Sequence, residues 1–333
     1  MRIALDAMGG DFAPKNPVQG ALDFVKQTRG QHDVVLIGDR DLIQKELDAH
    51  HFVKDDYLKH IEIVHTTQVV EMHDAPASIV KSKPDSSMVV GLQMHKRGEV
   101  DAFVSAGSTG AQMAASLLVL GRIKGVLRPA LGSFLPAENG VTLLIDVGAN
   151  AECKPEFLLQ FGIMGSIYCN YIYNVENPRV ALLNIGEEET KGSELYQQSH
   201  QLMKNQMPHF VGNVEGRDIL RGKADVVVCD GFTGNVVLKF AESVMGVVFK
   251  SLKEHIGTNM FSMLGAFLLK HAFKNMKKNF NYEEYGGVPL LGVSGTSIIC
   301  HGSSSPRALM NACHVAVKMV EKRVNEHIQE NIK

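Results

Sequence analysis

Six short loops in the sequence place glycine beside side chains that can bind or polarise a ligand. Ser, Thr, Asn, Asp, Glu or His accompanies the glycine in each; the loops are 6–11, 105–110, 146–150, 184–187, 230–235 and 301–305. Glycine lets the backbone approach a ligand closely, and the helix N-termini that follow such loops attract anions. Each loop alone also fits an ordinary tight turn. The six together favour an anion-binding site.

Two kinds of side chain could add proton or charge chemistry to these loops. His301 ends an apolar run and precedes Gly302, so its imidazole could exchange a proton with a ligand, or could only hydrogen-bond within its loop. Lys191 follows the three glutamates 187–189, and could hold an anion or pair with those carboxylates. Lys239, one turn after Asn235, has the same two interpretations.

The sequence lacks the motifs of several common classes of enzyme. The chain contains no GxxxxGK[ST], no GxGxxG after a strand, no GxSxG and no HExxH. Its 5 cysteines are widely spaced without a CxxC pair, which argues against disulfides and a zinc site. Cys229 and Cys300 end apolar runs and are interpreted as buried strand residues rather than nucleophiles. The remaining prediction is a site of backbone donors and short hydroxyls without metal or cofactor, which suits phosphate and a developing oxyanion.

The elements that must position these loops alternate between short β-rich runs and longer stretches of helical period. This alternation predicts the α/β class, and continuous Val/Ile/Leu runs predict mostly parallel strands. The runs are 3–7, 34–37, 61–65, 102–105, 141–147, 180–185, 226–229 and 297–300. The carboxyl ends of parallel strands form one crevice, so the loops that follow them should meet there. Apolar residues from Leu309 to Ile328 predict a last helix with Ser305 as its N-cap and Pro306 in its first turn. No linker composition interrupts the chain, which favours one elaborated domain over 1–333.

A helical stretch over 236–278 does not fit the alternation and predicts an inserted hairpin. Its segment 260–269 is strongly apolar and is followed by four lysines, at 270, 274, 277 and 278. Ten apolar residues are too few to span a bilayer, but such a segment can lie on an anionic membrane surface. A helix packed in a dimer interface or in the core explains the pattern equally well. The predicted membrane-contact residues are Phe261, Leu264, Phe267 and Leu268.

Charge and the N-terminus give expectations about compartment and partners. The 34 Lys+Arg and 36 Asp+Glu of the 333 residues leave a formal net charge of -2, which argues against a general nucleic-acid binder. No cleavable signal and no run of about 18 apolar residues is visible. The chain is therefore expected to be cytosolic.

The opening DAMGGDFAP over 6–14 closely resembles the start of the bacterial phosphate acyltransferase of phospholipid synthesis, the PlsX family. The similarity continues, in order, through SAGSTGA at 105–111, DVGAN at 146–150, NIGEE at 184–188, DGFTGN at 230–235 and HGSS at 301–304. It covers almost the whole chain. Ser108 stands where the family pattern has Asn, and both are small hydrogen-bonding residues.

The resemblance implies transfer of a long-chain acyl group from acyl carrier protein to inorganic phosphate, giving acyl phosphate and free carrier protein. It implies a three-layer αβα fold like phosphotransacetylase and isocitrate dehydrogenase, with a mostly parallel sheet and a protruding helical hairpin. It further implies a homodimer without cofactor or metal, a cytoplasmic protein peripherally associated with the membrane, and a membrane-bound glycerol-phosphate acyltransferase that consumes the product.

The role assignments that follow are hypotheses. Backbone donors and hydroxyls of two loops are expected to bind phosphate or the oxyanion: Gly107, Ser108, Thr109 and Gly110, and Gly302, Ser303 and Ser304. The first loop, with Asp6, Gly9, Gly10 and Asp11, is expected to shape the substrate site, and Gly234 to border it. Asn150 and Asn235 are assigned to orienting substrate, Lys191 to neutralising charge and His301 to proton transfer. Two alternatives remain: an NAD-dependent dehydrogenase of the related fold, and a non-enzymatic peripheral membrane scaffold.

Overall fold

The computed structural model describes residues 1–49, 55–138, 140–256, 265, 268, 269 and 286–332. Within this part of the chain, eleven strands form one sheet. The strands are β1 (Arg2–Asp6), β2 (Asp33–Gly38), β3 (Ile61–His65), β4 (Ala102–Ser105), β5 (Ala130–Ala137), β6 (Gly140–Ile145), β7 (Val180–Leu183), β8 (Phe210–Val214), β9 (Val226–Val228), β10 (Val288–Leu291) and β11 (Ser297–Ile299).

The sheet consists of two parallel blocks that run in opposite directions. Its strand order is β3-β2-β1-β4-β11-β10-β5-β6-β9-β7-β8. Neighbours are parallel from β3 to β11 and again from β6 to β8, whereas β10 and β5 join the blocks through antiparallel pairs. All eight apolar runs of the sequence form strands, so the prediction of a mostly parallel sheet is confirmed. The antiparallel joint was not predicted.

Helices cover both faces of the sheet. They are α1 (Lys15–Gln27), α2 (Arg40–Ala49), α3 (Asp55–Leu58), α4 (Ile79–Ser82), α5 (Ser87–Lys96), α6 (Thr109–Val119), α7 (Pro155–Tyr173), α8 (Glu194–Gln206), α9 (Gly216–Arg221), α10 (Gly231–Ile256), α11 (Pro306–Glu321) and α12 (Val324–Asn331). One apolar core packs α1, α7, α11 and α12 against one face, and two others pack α5, α6, α9 and α10 against the opposite face. The arrangement has three layers, with the sheet in the middle.

The last helical segment begins as predicted but does not run through. The Ser305 hydroxyl accepts a hydrogen bond from Ala308 N at 3.3 Å, and Pro306 occupies the first turn of α11. The continuous helix from 309 to 328 is wrong, because Arg323 adopts φ 50° and ψ 40° and separates α11 from α12. That left-handed conformation ends one helix and redirects the chain into the next.

Helix α10 covers the first part of the predicted 236–278 hairpin, and the rest of that segment, apart from residues 265, 268 and 269, lies outside the described residues. By length and composition α10 is apolar enough to cross a membrane, with a mean hydropathy of 1.3, a criterion that core helices of soluble proteins also meet. Of the four predicted membrane-contact residues, Leu268 is 75% exposed. Phe261, Leu264 and Phe267 lie outside the described residues.

Candidate functional site

A cavity of about 410 Å³ lies where the two blocks of the sheet meet, between helices α6 and α10. Residues from both blocks line it, and they include members of the 105–110, 146–150, 230–235 and 301–305 loop regions. The lining residues are Thr109, Gly110, Met113, Leu131, Ser133, Phe134, Val147, Gly148, Asn235, Leu238, Lys239, Glu242, Gly287, Val288, Ile299, Cys300, His301, Ser304 and Ala308.

The cavity opens because β5 and β10 separate. These strands pair at Leu290 with Leu131 and at Leu291 with Ala130. Two residues further along this register, Val288 and Ser133 do not pair with each other, and both line the cavity. Pro289 lies between the paired and separated parts and has no backbone N–H to donate to a neighbouring strand. The cavity therefore continues into the plane of the sheet.

The lining changes in character from its mouth to its interior. The mouth consists of exposed residues that are polar or glycine: Thr109, Gly110, Gly148, Lys239, Glu242 and His301. The interior contains buried apolar side chains such as Leu131, Phe134, Val147 and Ile299. Such a cavity fits a ligand with a polar head and an apolar tail.

Three helices direct their N-terminal ends at the mouth. Thr109 and Gly110 begin α6, Asn235 lies in the second turn of α10, and Ser304 immediately precedes the cap of α11. The N-terminal turn of a helix carries partial positive charge and backbone donors. Together with the Lys239 ammonium, these ends favour an anion at the mouth.

The first loop supports the site from behind the cavity. Ser105 Oγ donates to the buried Asp6 carboxylate at 2.7 Å and accepts from Gly107 N at 3.0 Å. Burial raises the pKa of Asp6, while the hydroxyls of Ser87 and Ser105 and backbone donors oppose the rise. These contacts join the ends of β1 and β4 and position the turn that leads into α6.

The same loop also fixes the His301 loop through its backbone. Asp11 N donates to the Gly302 carbonyl oxygen at 2.8 Å. Gly10 has φ 102°, and a Cβ built there lies 2.9 Å from that oxygen, so this approach requires glycine. Asp6, Gly9, Gly10 and Asp11 are therefore placed as supports for the loops that line the cavity.

On the second block, the buried carboxylate of Asp146 organises the loop after β6. Its Oδ1 accepts from the backbone N–H groups of Leu131, Gly148 and Ala149, and its Oδ2 accepts from Asn150 N at 2.7 Å and Asn150 Nδ2 at 2.9 Å. Burial raises the pKa of Asp146, opposed by these hydrogen bonds. Asn150 Nδ2 also donates to the Pro129 carbonyl oxygen at 2.8 Å, so its amide is used within the protein. Asp146 was missed as a site residue because nothing in DVGAN distinguishes a ligand-binding carboxylate from one that organises its own loop.

His301 lies at the mouth with its ring held by its own loop. Its Nδ1 is 2.8 Å from Ser303 Oγ, and Ser303 N donates to Nδ1 at 3.2 Å. Ser304 N donates to the His301 carbonyl oxygen at 2.9 Å, and the Ser304 carbonyl oxygen accepts from Asn16 Nδ2 at 2.9 Å. His301 lines the cavity, and its Nδ1 is held within its own loop.

Lys239 and Glu242 join His301 at the mouth. Loss of hydration at the mouth raises the pKa of the Glu242 carboxyl, and the nearby His301 and Lys239 oppose that rise. Glu242 was not a sequence candidate; its position one turn after Lys239 on α10 is the signal that could have found it. Lys191 is not a lining residue, and its Nζ lies 4.0 Å from Glu188 Oε1 on the surface.

The sequence candidates thus divide into two groups. Thr109, Gly110, Asn235, His301 and Ser304 line the cavity. The remainder lie behind or beside it and do not line it: Asp6, Gly9, Gly10, Asp11, Gly107, Ser108, Asn150, Lys191, Gly234, Gly302 and Ser303. Ser108 caps α6, its hydroxyl accepting from Ala111 N at 3.4 Å.

The two cysteines considered as nucleophiles are buried, as the sequence predicts. Cys229 is 0% exposed and burial raises its pKa well above the ordinary thiol value. Cys300 is 4% exposed, and burial raises its pKa to about 12, although it lines the cavity. A thiol with so high a pKa is a poor nucleophile. Within the described part of the chain, no group of three or more His, Cys, Asp or Glu side chains is arranged to hold a metal ion.

The sequence and the fold both match known proteins. The model of a family described as "Fatty acid synthesis protein" matches residues 1–327. A protein named phosphate acyltransferase from Dictyoglomus turgidum is 48% identical over 100% of this chain and 98% of its own length. One of the same name from Alkaliphilus oremlandii is 49% identical over 100% of this chain and 97% of its own.

Two solved structures share the fold at low sequence identity. A phosphotransacetylase from Streptococcus pyogenes superposes with a TM-score of 0.65 at 13% identity, covering 96% of this chain and 94% of that one. A phosphotransacetylase from Staphylococcus aureus gives 0.63 at 15% identity, with the same coverages. The three-layer α/β fold expected from the resemblance is confirmed.

The contact between Gly234 and the Asp146 loop gives a test of how the site is assembled. A Cβ on Gly234 would overlap the Asp146 carbonyl oxygen and lie 2.9 Å from Cys229 Sγ. We expect Gly234→Ala to lower the free energy of unfolding by about 3 kcal/mol, because buried backbone must move to make room. Urea denaturation measures this difference.

The matched control is Gly216→Ala, in the first turn of α9, where an added Cβ meets nothing within 4 Å. Its free energy of unfolding should change by less than about 1 kcal/mol. Equal stabilities of the two variants would show that α10 does not depend on this close approach.

Proposed function

This chain belongs to the fatty acid synthesis protein family and catalyses acyl transfer to phosphate, and we propose that its acyl donor is the thioester of acyl carrier protein. The products are then acyl phosphate and free carrier protein. The observation that carries the proposal is the cavity, whose mouth, with three helix N-termini and Lys239, is rich in hydrogen-bond donors and opens into an apolar interior. Phosphate fits the mouth and an acyl chain fits the interior.

The proposed reaction requires no nucleophile from the protein. A phosphate oxygen attacks the thioester carbonyl carbon, an O–C bond forms, and the C–S bond breaks as the tetrahedral intermediate collapses. The carrier thiolate leaves and takes up a proton. A thiol pKa near 8.5 makes the thiolate an adequate leaving group, so acid catalysis assists but is not essential.

Residues at the mouth have roles that fit this chemistry. The N-terminus of α6 and Lys239 hold the phosphate dianion, and the Asn235 amide orients phosphate or the thioester carbonyl. His301 exchanges the proton. Loops built on Asp6 and Asp146 keep these groups in place before substrate arrives, which reduces the reorganisation needed in the transition state.

The decisive experiment incubates the purified protein with palmitoyl-acyl carrier protein and inorganic phosphate, then traps acyl phosphate with hydroxylamine for mass spectrometry. We expect palmitoyl hydroxamate that depends on both phosphate and enzyme. Its absence would refute the proposed donor and acceptor. Hydride transfer to NAD with a hydroxy acid would instead support the dehydrogenase, and vesicle binding without acyl phosphate would support the scaffold.

The cations at the site give a second test. Lys239 lines the mouth, whereas Lys191, the sequence candidate for charge neutralisation, does not. Since a charge-assisted hydrogen bond contributes about 1.5–3 kcal/mol, Lys239→Ala should raise the KM for phosphate about tenfold or more. Lys191→Ala is the matched control and should change that KM less than about twofold. Steady-state kinetics at varied phosphate concentration measures the KM of both variants. A larger increase for Lys191→Ala than for Lys239→Ala would assign charge neutralisation to Lys191.

Helix α10 also carries the proposed contact with a second copy of the chain. Its outer face exposes an apolar stripe, which we call the α10 stripe: Phe232, Val236, Phe240, Val244, Val247 and Val248, between 41% and 70% exposed. A contiguous apolar stripe of this length needs a covering surface. We propose that the stripe pairs with its copy in a homodimer, and that Leu268 and the lysine-flanked segment contact the membrane surface. Acyl phosphate then passes to a membrane-bound glycerol-phosphate acyltransferase.

A charged substitution in the middle of the α10 stripe distinguishes the proposed dimer contact from a membrane contact. Phe240 is 70% exposed, and Phe240→Glu should weaken the dimer at least about tenfold in sedimentation equilibrium, because two buried carboxylates would face each other. Leu220→Glu, at a 48% exposed position on α9, is the control and should leave the dimer intact. A Phe240→Glu dimer that persists, but no longer binds phosphatidylglycerol vesicles, would assign the stripe to the membrane instead.

A further inference from the structure

The cavity connects the two faces of the sheet. Met113, Val147 and Leu238 belong to the core packed with α6 and α10, on the face where the mouth opens. Phe134 and Cys300 belong to the core packed with α7 and α11, on the opposite face. Since all of these residues line one cavity, it passes through the gap between β5 and β10.

Phe134 stands on the side of this passage away from the mouth. It is 6% exposed, on the strand edge that separates from β10. Its ring packs against Tyr173 with ring centroids 4.0 Å apart and against Tyr168 at 5.7 Å. Two aromatic neighbours on α7 hold the ring in place, so it cannot easily move aside for a ligand.

Two further lining residues are small. Ala308, in the first turn of α11, is 4% exposed and adds one methyl group to the lining. Gly287 has φ 82°, and a Cβ there would lie 2.8 Å from Ile298 Cγ2. Among the lining residues that the structure describes, Phe134 has the largest apolar side chain and closes the passage, and Ala308 is a position where bulk can be added.

We propose that Phe134 determines the longest acyl chain that the enzyme accepts, an inference that rests on the proposed acyl transfer. A chain whose head is at the mouth extends through the gap toward the Phe134 ring. Each methylene that remains inside improves binding about fourfold. A chain that reaches the ring must displace it from Tyr173 or leave its last methylenes outside the cavity. Beyond that length, an added carbon no longer improves binding.

The test measures kcat/KM for a series of acyl-carrier protein donors from about 12 to about 20 carbons, at saturating phosphate. Phe134→Ala should raise the ratio for the long donors over the short donors about tenfold, as expected if roughly two further methylenes are accommodated. Ala308→Leu should shift the preference the other way, to shorter donors. The matched control is Phe161→Ala, a fully buried phenylalanine of the same core that does not line the cavity.

The outcomes separate this inference from the function on which it rests. If the unmodified enzyme forms no acyl phosphate from any donor, the proposed function fails. If it forms acyl phosphate, but Phe134→Ala and Ala308→Leu keep its chain-length profile, Phe134 does not set the limit. If Phe161→Ala shifts the profile as much as Phe134→Ala does, the effect is general loosening of the core and the proposal is wrong. Should Phe134→Ala not fold, Phe134→Leu and Ala308→Leu must still shift the profile in opposite directions.

Discussion

Strand β5 pairs with β10 at Ala130 and Leu131 and then leaves it, and the site depends on that departure. A sheet of one parallel block would place its loops along one edge. Here the two blocks run in opposite directions, and their carboxyl ends meet because the blocks are staggered. The register through β10 and β5 brings Ile299, at the end of β11, nearly level with Ile145, at the end of β6. The gap beside Pro289 supplies the interior of the cavity, and the loops on either side supply its mouth.

Each block then holds its loops with a buried carboxylate. Asp6 ends β1 and Asp146 follows β6; both are at most 2% exposed, and burial raises the pKa of both. Burying a carboxyl is unfavourable unless hydrogen bonds compensate, and each of these accepts from hydroxyl, amide or backbone donors of the loops it organises. Neither side chain lines the cavity. These carboxyls make the loop geometry part of the folded core, so that the donors at the mouth are already in position.

Local sequence signals predicted the parts of the structure that depend on local physics. The Ser305 cap with Pro306, the eight apolar strands and the glycine loops all follow from a few neighbouring residues. Strands β5, β8 and β10 were missed because Gly132, Pro136, Gly212 and Pro289 interrupt their β pattern, and pairing within the sheet overrides that weak propensity. The break at Arg323 is likewise set by packing of α12 on α7 rather than by a helix-breaking residue.

The charged groups of the site were harder to predict than its backbone, because packing of the whole chain, rather than neighbouring residues, decides which of them reach the cavity. Thr109, Gly110, Asn235, His301 and Ser304 line the cavity because they follow β4, β9 and β11, which lie near the junction of the two blocks. Whether Lys191 or Lys239 reaches it depends on the direction of the helix after each loop. The loop before α8 turns Lys191 toward Glu188, whereas α10 starts at the cavity and carries Lys239 along its edge. Three-dimensional placement, which spacing in the sequence does not encode, decides between two equivalent lysines.

Helix α10 carries both residues of the site and the exposed α10 stripe, so it connects the site to the surface that binds the stripe. At about 100° per residue, Asn235, Lys239 and Glu242 fall on one side of the helix, and Val236, Phe240 and Val247 fall about 110° away, on the adjacent side. A rigid helix cannot move one face without the other. A partner that binds the α10 stripe therefore acts on the position of Asn235 and Lys239 at the mouth, and the exposed apolar face and the polar site are two sides of one structural element.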